Sequence, residues 1–192
     1  MTPDLPQALQ VALRVIDALE SLGVRYHIGG SYASSIHGIP RQTQDIDLVA
    51  ALSPDSAAAL ARQLSGQFYA DESSARAAAC AKKSFNLVHL DSGIKVDVFA
   101  LGDAPFDREE FGNAEPVQVD PQHRAFVKSP EDTILRKLLW YRLGGEVSER
   151  QWSDIVGISR IQGDRLDLEH LHRWALELGV ADLLDEVLRP RP

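Results

Sequence analysis

The stretch Gly29-Gly30-Ser31, followed after residues 32–44 by Asp45-Ile46-Asp47-Leu48, decides the fold that we expect for this chain. The apolar run at 24–28 predicts a short strand before the turn, and residues 31–37 predict a short helix after it. A Gly-Gly-Ser turn between them combines backbone N–H groups, little side-chain bulk and a hydroxyl. These are the features that suit a phosphate group.

Asp45 and Asp47 lie two residues apart, where the sequence predicts a strand over 46–52. Side chains two apart leave the same face of a strand, so the two carboxylates are expected side by side. Because neighbouring carboxylates repel each other, a divalent cation between them best accounts for the pair. A phosphate-binding turn beside such a pair predicts phosphoryl or nucleotidyl transfer. Aspartates near a strand end can also simply cap or turn the chain, and that alternative stays open here.

A hairpin is predicted further along the chain, with strands at 85–90 and 94–101 joined by Asp91-Ser92-Gly93. On its second strand the alternation places Lys95, Asp97 and Phe99 on one face. Asp97 is therefore a candidate third carboxylate, although alternation alone also accounts for an exposed aspartate on a strand. Residues 102–124 are interrupted by proline and glycine and are predicted to be loop, with an edge strand near 116–119.

Helices account for the remaining predicted elements. Ser-Pro start signals at 53–54 and 129–130 predict helices over about 54–64 and 130–143. Helical periodicity predicts further helices over 5–22, from Ser148 to about 163, over 168–178 and over 181–188. Trp140, Trp152 and Trp174 recur across the last helices and are expected in their core. The predicted fold class is α+β, with a mixed α/β core at 1–125 and a C-terminal helical domain at 126–192.

The amino-acid composition and net charge limit the kinds of protein that this chain can be. The chain has 192 residues, of which 44% are hydrophobic and 25% charged, as in ordinary globular proteins. Its single cysteine excludes an intramolecular disulfide and fits a reducing compartment, so we expect a cytoplasmic protein without a membrane partner. The formal net charge of -8 argues against an extended nucleic-acid-binding surface, although it leaves room for contact with one RNA end.

With these residues in place, the chain resembles the nucleotidyltransferase superfamily, which has a polymerase-β-like fold, and within it most resembles AbiEii-type toxins and stand-alone nucleotidyltransferase-like proteins. The matching segments are Gly29-Gly30-Ser31, His37-Gly38, Arg41-x-Thr43-x-Asp45-Ile46-Asp47-Leu48, Lys95-Val96-Asp97-Val98, and Ser129-Pro130-Glu131-Asp132 followed by Lys137-Leu138. The resemblance covers roughly residues 24–188. It implies an α+β nucleotidyltransferase core with flanking helices, followed by a helical bundle.

The resemblance also implies roles for individual residues. Asp45 and Asp47 would be metal ligands, and Asp97 would be a third carboxylate that helps to activate the acceptor hydroxyl. Two Mg²⁺ ions would be held around a nucleoside triphosphate, with ATP among the expected substrates. Nucleotide-binding residues would be Gly29, Gly30, Ser31, Arg41, Thr43 and Lys137, and the resemblance adds Lys137 and Asp154 to the catalytic set.

Each of these roles has a simpler competitor. Ser31 can be a helix cap, and Lys137, Asp154 and Arg41 can be ordinary solvated side chains. The sequence differs from many active relatives in the long spacer between Ser31 and Asp45. This spacer affects how the turn would be positioned to bind the phosphates.

The expected activity is Mg²⁺-dependent transfer of an NMP group from an NTP to a hydroxyl on RNA, such as tRNA, or on a protein. The resemblance implies a possible toxin–antitoxin or abortive-infection component with a cognate antitoxin. One alternative is a catalytically degenerate binding or antitoxin-like protein. Another is an antibiotic adenylyltransferase, for which Glu109, Glu110, Glu115 and Asp120 could form an acidic pocket, although a solvated acidic face is the simpler interpretation.

Overall fold

The computed structural model describes residues 6–43, 45–119 and 123–189, and these residues form two compact units. The first unit contains the described residues up to Gly29 together with those from Gln42 to Val127. The second contains Gly30–Arg41 and the described residues from Lys128 onward. Segment 30–41 thus clusters with the C-terminal helices, and the division into domains at 1–125 and 126–192 stays a prediction.

A mixed sheet lies at the centre of the first unit. Among the described residues it has seven strands in the order β3-β4-β5-β2-β1-β7-β6. The strands are β1 (Tyr26–Ile28), β2 (Ile46–Ala50), β3 (Phe68–Tyr69), β4 (Ser84–His89), β5 (Lys95–Ala100), β6 (Glu115–Gln118) and β7 (Arg124–Val127). Strand β2 runs parallel to β5 and antiparallel to β1, while β1 runs parallel to β7. The predicted α+β class is confirmed.

Helices make up most of the remaining regular structure of the two units. In chain order the helices are α1 (Gln7–Ser21), α2 (Gly30–His37), α3 (Pro54–Leu64), α4 (Glu72–Cys80), α5 (Pro105–Gly112), α6 (Pro130–Leu143), α7 (Glu149–Gln162), α8 (Leu168–Glu177) and α9 (Ala181–Leu188). Helix α1 buries Leu9, Ile16 and Leu19 at helical spacing and contacts α3, β2 and β5. The predicted bounds of α3 are confirmed, because Ser53 caps its first turn and Pro54 starts it.

The prediction of loop over 102–124 is wrong in part. Residues 105–112 form α5, whose first turn starts with Pro105 and in which Asp107 accepts a hydrogen bond from the Ala104 N–H at 3.2 Å. Proline at the first helical position is compatible with a helix, so the interrupting residues misled the prediction. Strand β7 was also not predicted, although β6 lies close to the expected edge strand.

The second unit is helical. Helix α2 packs against α6 and α7, and α8 and α9 pack on this group. Its core contains Ile134, Leu135, Leu138, Ile155 and Ile158, all fully buried. Trp174 joins the core as predicted, but Trp140 is 54% exposed, so its predicted core position is wrong. Among the described helices, none has the length and apolar character needed to cross a membrane.

Candidate functional site

Two predicted site residues lie side by side on neighbouring strands of the first unit, and a third immediately precedes one of these strands. Strands β2 and β5 run parallel, and their register pairs Asp47 directly with Asp97. Neighbouring strands are about 4.8 Å apart, so the two aspartates emerge next to each other. Asp45 comes immediately before β2 and is exposed, whereas Asp47 and Asp97 are half-buried. We refer to Asp45, Asp47 and Asp97 as the carboxylate cluster.

The alternation of both strands explains why the cluster faces one side of the sheet. In β2 and β5 the buried residues alternate with partly exposed ones, and the aspartates occupy the partly exposed positions. Ile46, Leu48, Val96 and Val98 are fully buried on the opposite side. Burial of these apolar side chains fixes the register, because a slip of one residue would turn the aspartates into the core.

Lys95 lies against the cluster. Its Nζ is 2.8 Å from Oδ2 of Asp97, two residues along the same strand face, and its side chain is 39% exposed. The hydrogen bond to Asp97 raises the pKa of Lys95 against the lowering effect of burial, and the charges of Asp45 and Asp47 raise it further. The ammonium group is therefore within electrostatic reach of all three carboxylates.

The chemistry of the cluster fits a divalent cation in two respects. Carboxylate oxygens are the ligands that Mg²⁺ prefers, and Oδ1 of Asp97 is buried without a hydrogen-bond partner among the described residues. The side chains are not gathered as a complete ligand set, however. Within the described ranges, no group of three or more His, Cys, Asp and Glu side chains is arranged to hold a metal ion together. The other Asp97 oxygen is engaged by Lys95.

The Gly-Gly-Ser turn begins at the end of β1. The Gly29 N–H donates to the Asp47 carbonyl at 2.9 Å, so this amide is part of the sheet. Gly30 has a positive φ of 54°, a conformation that glycine adopts without steric cost. In the first unit, the Thr43 hydroxyl donates to the Asp45 carbonyl at 3.0 Å and shapes the approach to β2. The hydrogen bonds of Gly29 and Thr43 thus hold the backbone in place, the first at the end of β1 and the second just before β2.

A second group of predicted site residues forms a network within the second unit. Arg41 donates from Nε and Nη2 to the two oxygens of Asp154 at 2.9 and 3.0 Å. Lys137 Nζ donates to Oδ2 of Asp154 at 2.9 Å, and Arg41 Nη2 also donates to the Ser31 hydroxyl at 2.5 Å. We call Ser31, Arg41, Lys137 and Asp154 the Asp154 network. The structure thus brings together four residues that the sequence predicted separately.

The Asp154 network is largely withdrawn from water. The side chains of Asp154, Lys137 and Arg41 are 7%, 12% and 23% exposed. Burial by itself raises the pKa of Asp154, but hydrogen bonds from Arg41 and Lys137 outweigh it and lower that pKa below its ordinary value. The hydrogen bond to Asp154 raises the pKa of Arg41. One nitrogen, Nη1 of Arg41, is buried without a hydrogen-bond partner among the described residues, which leaves a guanidinium donor for an anion.

Close packing of α2 on α7 holds the network together. A Cβ on Gly38 would lie 2.8 Å from the Ile158 backbone nitrogen, so only glycine fits there. His37 contacts the Lys128 carbonyl through Nε2 at 2.7 Å, and Gln162 donates to the His37 carbonyl at 2.6 Å. The His37-Gly38 pair in the sequence therefore marks the point where α2 meets the C-terminal helices.

Lys95 and Gln162 are the residues near these sites that sequence reasoning did not select. Lys95 could have been found, because it shares a strand face with Asp97. Gln162 carries no comparable signal, since its partner lies 125 residues away. Of the four acidic residues considered for a cationic substrate, Glu110 is buried on α5 and Asp120 lies outside the described residues.

Comparison of the sequence with protein-family models and with curated proteins finds no match. The fold matches solved structures at low sequence identity. An antigenic nucleotidyltransferase-like protein from Paracoccidioides brasiliensis is 18% identical, with a TM-score of 0.58, over 97% of this chain and 94% of that chain. The lincosamide antibiotic adenylyltransferase LnuA, bound to lincomycin, is 12% identical with a TM-score of 0.53, over 82% of this chain and 98% of that chain.

A third similar structure is ANT(2'')-Ia in complex with adenylyl-2''-tobramycin. It is 14% identical with a TM-score of 0.53, over 91% of this chain and 98% of that chain. These likenesses span nearly whole chains on both sides. The protein therefore shares the fold of these nucleotidyltransferase-like structures, as the resemblance predicts.

Proposed function

We propose that this protein is a Mg²⁺-dependent nucleotidyltransferase, in which an acceptor hydroxyl attacks the α-phosphate of an NTP, the NMP group is transferred to the acceptor oxygen, and pyrophosphate is released. The observation that carries the proposal is the pairing of Asp47 with Asp97 on neighbouring parallel strands, with Asp45 immediately before β2. Two carboxylates on rigid strands and a third beside them form an oxygen-rich site suited to Mg²⁺. The nucleotidyltransferase fold supports the same chemistry.

The proposed role of the carboxylate cluster is to bind the metal and to activate the acceptor hydroxyl. Asp45 and Asp47 hold the cations, and Asp97 adds a third carboxylate that favours loss of the acceptor proton. When bound, Mg²⁺ lowers the pKa of the attacking hydroxyl and offsets the charge of the phosphates. The alternative, in which the aspartates only turn the chain, does not explain why Oδ1 of Asp97 is buried without a hydrogen-bond partner among the described residues.

The Asp154 network is assigned to the phosphates of the NTP. Arg41 offers its buried Nη1, Lys137 offers an ammonium group, and Ser31 offers a hydroxyl at the start of α2 beside Gly30. Asp154 has both oxygens engaged by these two cations, so its proposed role is to position them. The proposed role of Gly29 and Thr43 is to fix the backbone, Gly29 at the turn and Thr43 next to Asp45.

The acceptor is proposed to carry a free hydroxyl, and RNA or protein is the class that we favour. LnuA and ANT(2'')-Ia share the fold and are solved with lincomycin and adenylyl-2''-tobramycin, so a small-molecule acceptor is the alternative to test. The AbiEii-type likeness adds a possible toxin role with a cognate antitoxin. Growth arrest on expression of the active protein, relieved by a neighbouring gene product, would support that role.

Incubation with each α-³²P-labelled NTP, Mg²⁺ and an acceptor tests the proposal directly. The acceptors are total RNA, protein extract, lincomycin and tobramycin, offered separately. Wild-type protein is compared with Asp47→Asn and with Asp91→Asn, which removes one exposed carboxylate from the β4–β5 turn of the same unit. We expect label on one acceptor with wild type and Asp91→Asn, and a loss of at least about a hundredfold with Asp47→Asn.

The outcomes separate the candidate functions. Label on RNA or protein supports the favoured acceptor class, and label on an antibiotic supports the alternative. Equal labelling by wild type and Asp47→Asn would contradict the role of the carboxylate cluster. If no acceptor is labelled and no NTP binds in the presence of Mg²⁺, the fold serves as a binding module instead.

A further inference from the structure

The ammonium group of Lys95 lies against the carboxylate cluster to which we assign Mg²⁺. We propose that Lys95 is a resident counter-ion of the carboxylate cluster, which competes with the divalent cation for Asp97 and so sets the affinity of the site for that cation. The inference rests on the proposed function, since it concerns the same metal site.

Lys95 lies beside Asp97, at the end of the strand pair where Asp45 precedes β2. The β2–β5 ladder begins with Ile46 opposite Val96, so Asp45 precedes the ladder on one strand as Lys95 does on the other. Lys95 and Asp97 share a strand face, and their ion pair measures 2.8 Å from Nζ to Oδ2. The charges of Asp45 and Asp47 also act on the Lys95 ammonium group.

The charges explain what this lysine does for the cluster. The negative charges of Asp45, Asp47 and Asp97 repel one another. Lys95 offsets one of the three negative charges, and the remaining charge matches one divalent cation. The ammonium group thus reduces the repulsion between the carboxylates, and it does so by engaging one Asp97 oxygen.

The ion pair contributes little to the stability of the fold. Lys95 and Asp97 belong to the same strand, two residues apart, so the pair connects no second element to β5. The Lys95 side chain is 39% exposed, so the pair adds little to stability and its long stem can turn into solvent. Release of Asp97 from Lys95 would free an oxygen for a cation, in line with the incomplete gathering of ligands among the described residues.

Direct measurement of Mn²⁺ binding to the full-length protein, by electron paramagnetic resonance without nucleotide, tests the inference. The variants are Lys95→Met, Lys95→Gln and Lys95→Arg, with Lys83→Met as the control. Lys83 is exposed and lies at the far end of the β4–β5 pair, where its carbonyl accepts from the Ala100 N–H. Asp47→Asn identifies the binding that belongs to the cluster.

We expect Lys95→Met and Lys95→Gln to bind Mn²⁺ about three- to tenfold more tightly than wild type, since one adjacent positive charge is removed from a partly exposed site. Lys95→Arg and Lys83→Met should stay within about twofold of wild type, because the first keeps the charge and the second is distant from it. Loss of the tighter binding in Asp47→Asn combined with Lys95→Met would place the effect at the cluster.

Two results would overturn the inference in different ways. If wild type binds Mn²⁺ at the cluster and neither Lys95→Met nor Lys95→Gln binds it more tightly, Lys95 does not compete with the cation, while the proposed function stands. An equal gain in Lys83→Met would show a general charge effect and has the same consequence. If no variant binds Mn²⁺, with or without NTP, both the inference and the metal-dependent function fail.

Discussion

Replacement of Asp154 by asparagine removes the anion that holds two cations inside the second unit, and it keeps the size of the side chain. In the wild type, Asp154 accepts three hydrogen bonds, two from Arg41 and one from Lys137. The asparagine retains one acceptor oxygen, but its amide group faces positively charged donors. The variant therefore leaves Arg41 and Lys137 close together without a compensating charge.

The expected loss of stability follows from the burial of the three side chains. Breaking a fully buried ion pair by removing one partner costs about 3–5 kcal/mol. Here Lys137 and Arg41 are 12% and 23% exposed, so both recover part of their hydration, and Arg41 keeps its bond to Ser31. We therefore expect Asp154→Asn to lower the free energy of unfolding by about 2–3 kcal/mol.

Urea unfolding followed by tryptophan fluorescence measures this loss in the correct part of the molecule. The chain has three tryptophans, Trp140, Trp152 and Trp174, and all belong to the second unit. Their emission therefore reports on the unit that contains the Asp154 network. The midpoint and slope of the transition give the free energy of unfolding in each variant.

Asp182→Asn is the matched control in the same unit. Asp182 also accepts two hydrogen bonds from an arginine, Arg142, but its side chain is 71% exposed. An exposed pair contributes little, so this variant should change stability by no more than about 0.5 kcal/mol. If Asp154→Asn costs no more than Asp182→Asn, the Asp154 network does not hold the second unit together, and the reasoning from its burial is wrong.

Three further predictions concern packing, pH and helix capping. Gly38→Ala should destabilise the second unit by about 2 kcal/mol, since the new Cβ would meet the Ile158 backbone, whereas Gly66→Ala, with open space around it, should be neutral in thermal unfolding. The pKa of Asp154 is lowered in the folded state, so its contribution is complete above its ordinary pKa of 3.8 and is lost as pH falls below it. The stability difference between wild type and Asp154→Asn, measured in urea, should be constant above about pH 5 and shrink in more acidic solution, and a constant difference down to pH 2 would contradict it. Ser129→Ala removes the hydroxyl that caps α6 and should cost about 1–2 kcal/mol, whereas a change below about 0.3 kcal/mol would show that water replaces the cap.

Local signals in the sequence were sufficient for elements with clear ends. The helices at Pro54–Leu64 and Pro130–Leu143 match their predicted bounds, because a serine cap followed by proline fixes where each begins. Helix α5 was missed because Pro105 and its neighbours are equally typical of a loop. Its apolar residues, Phe106 and Phe111, only become informative once their burial is known.

Parts of the candidate site can likewise be predicted from neighbouring residues, whereas other parts depend on contacts between distant segments of the chain. The face shared by Lys95 and Asp97 follows from strand alternation, and the structure has it as predicted. The pairing of Asp47 with Asp97 depends on the register of two strands that are distant in sequence, and alternation within one strand cannot supply it. The bond between Arg41 and Asp154 spans 113 residues, so neither residue alone indicates its partner. The catalytic and nucleotide-binding roles of all these residues stay predictions.

The placement of Gly30–Arg41 in the second unit affects the folding of the chain during synthesis and the design of fragments. Helix α2 leaves the ribosome long before α6 and α7, the helices on which it packs. At about 5–20 residues per second, several seconds pass before that packing surface exists. A fragment that begins at Lys128 would lack Arg41, and the complementary fragment would carry α2 without its partners. A cut before Lys128 therefore separates α2 and Arg41 from the helices on which α2 packs.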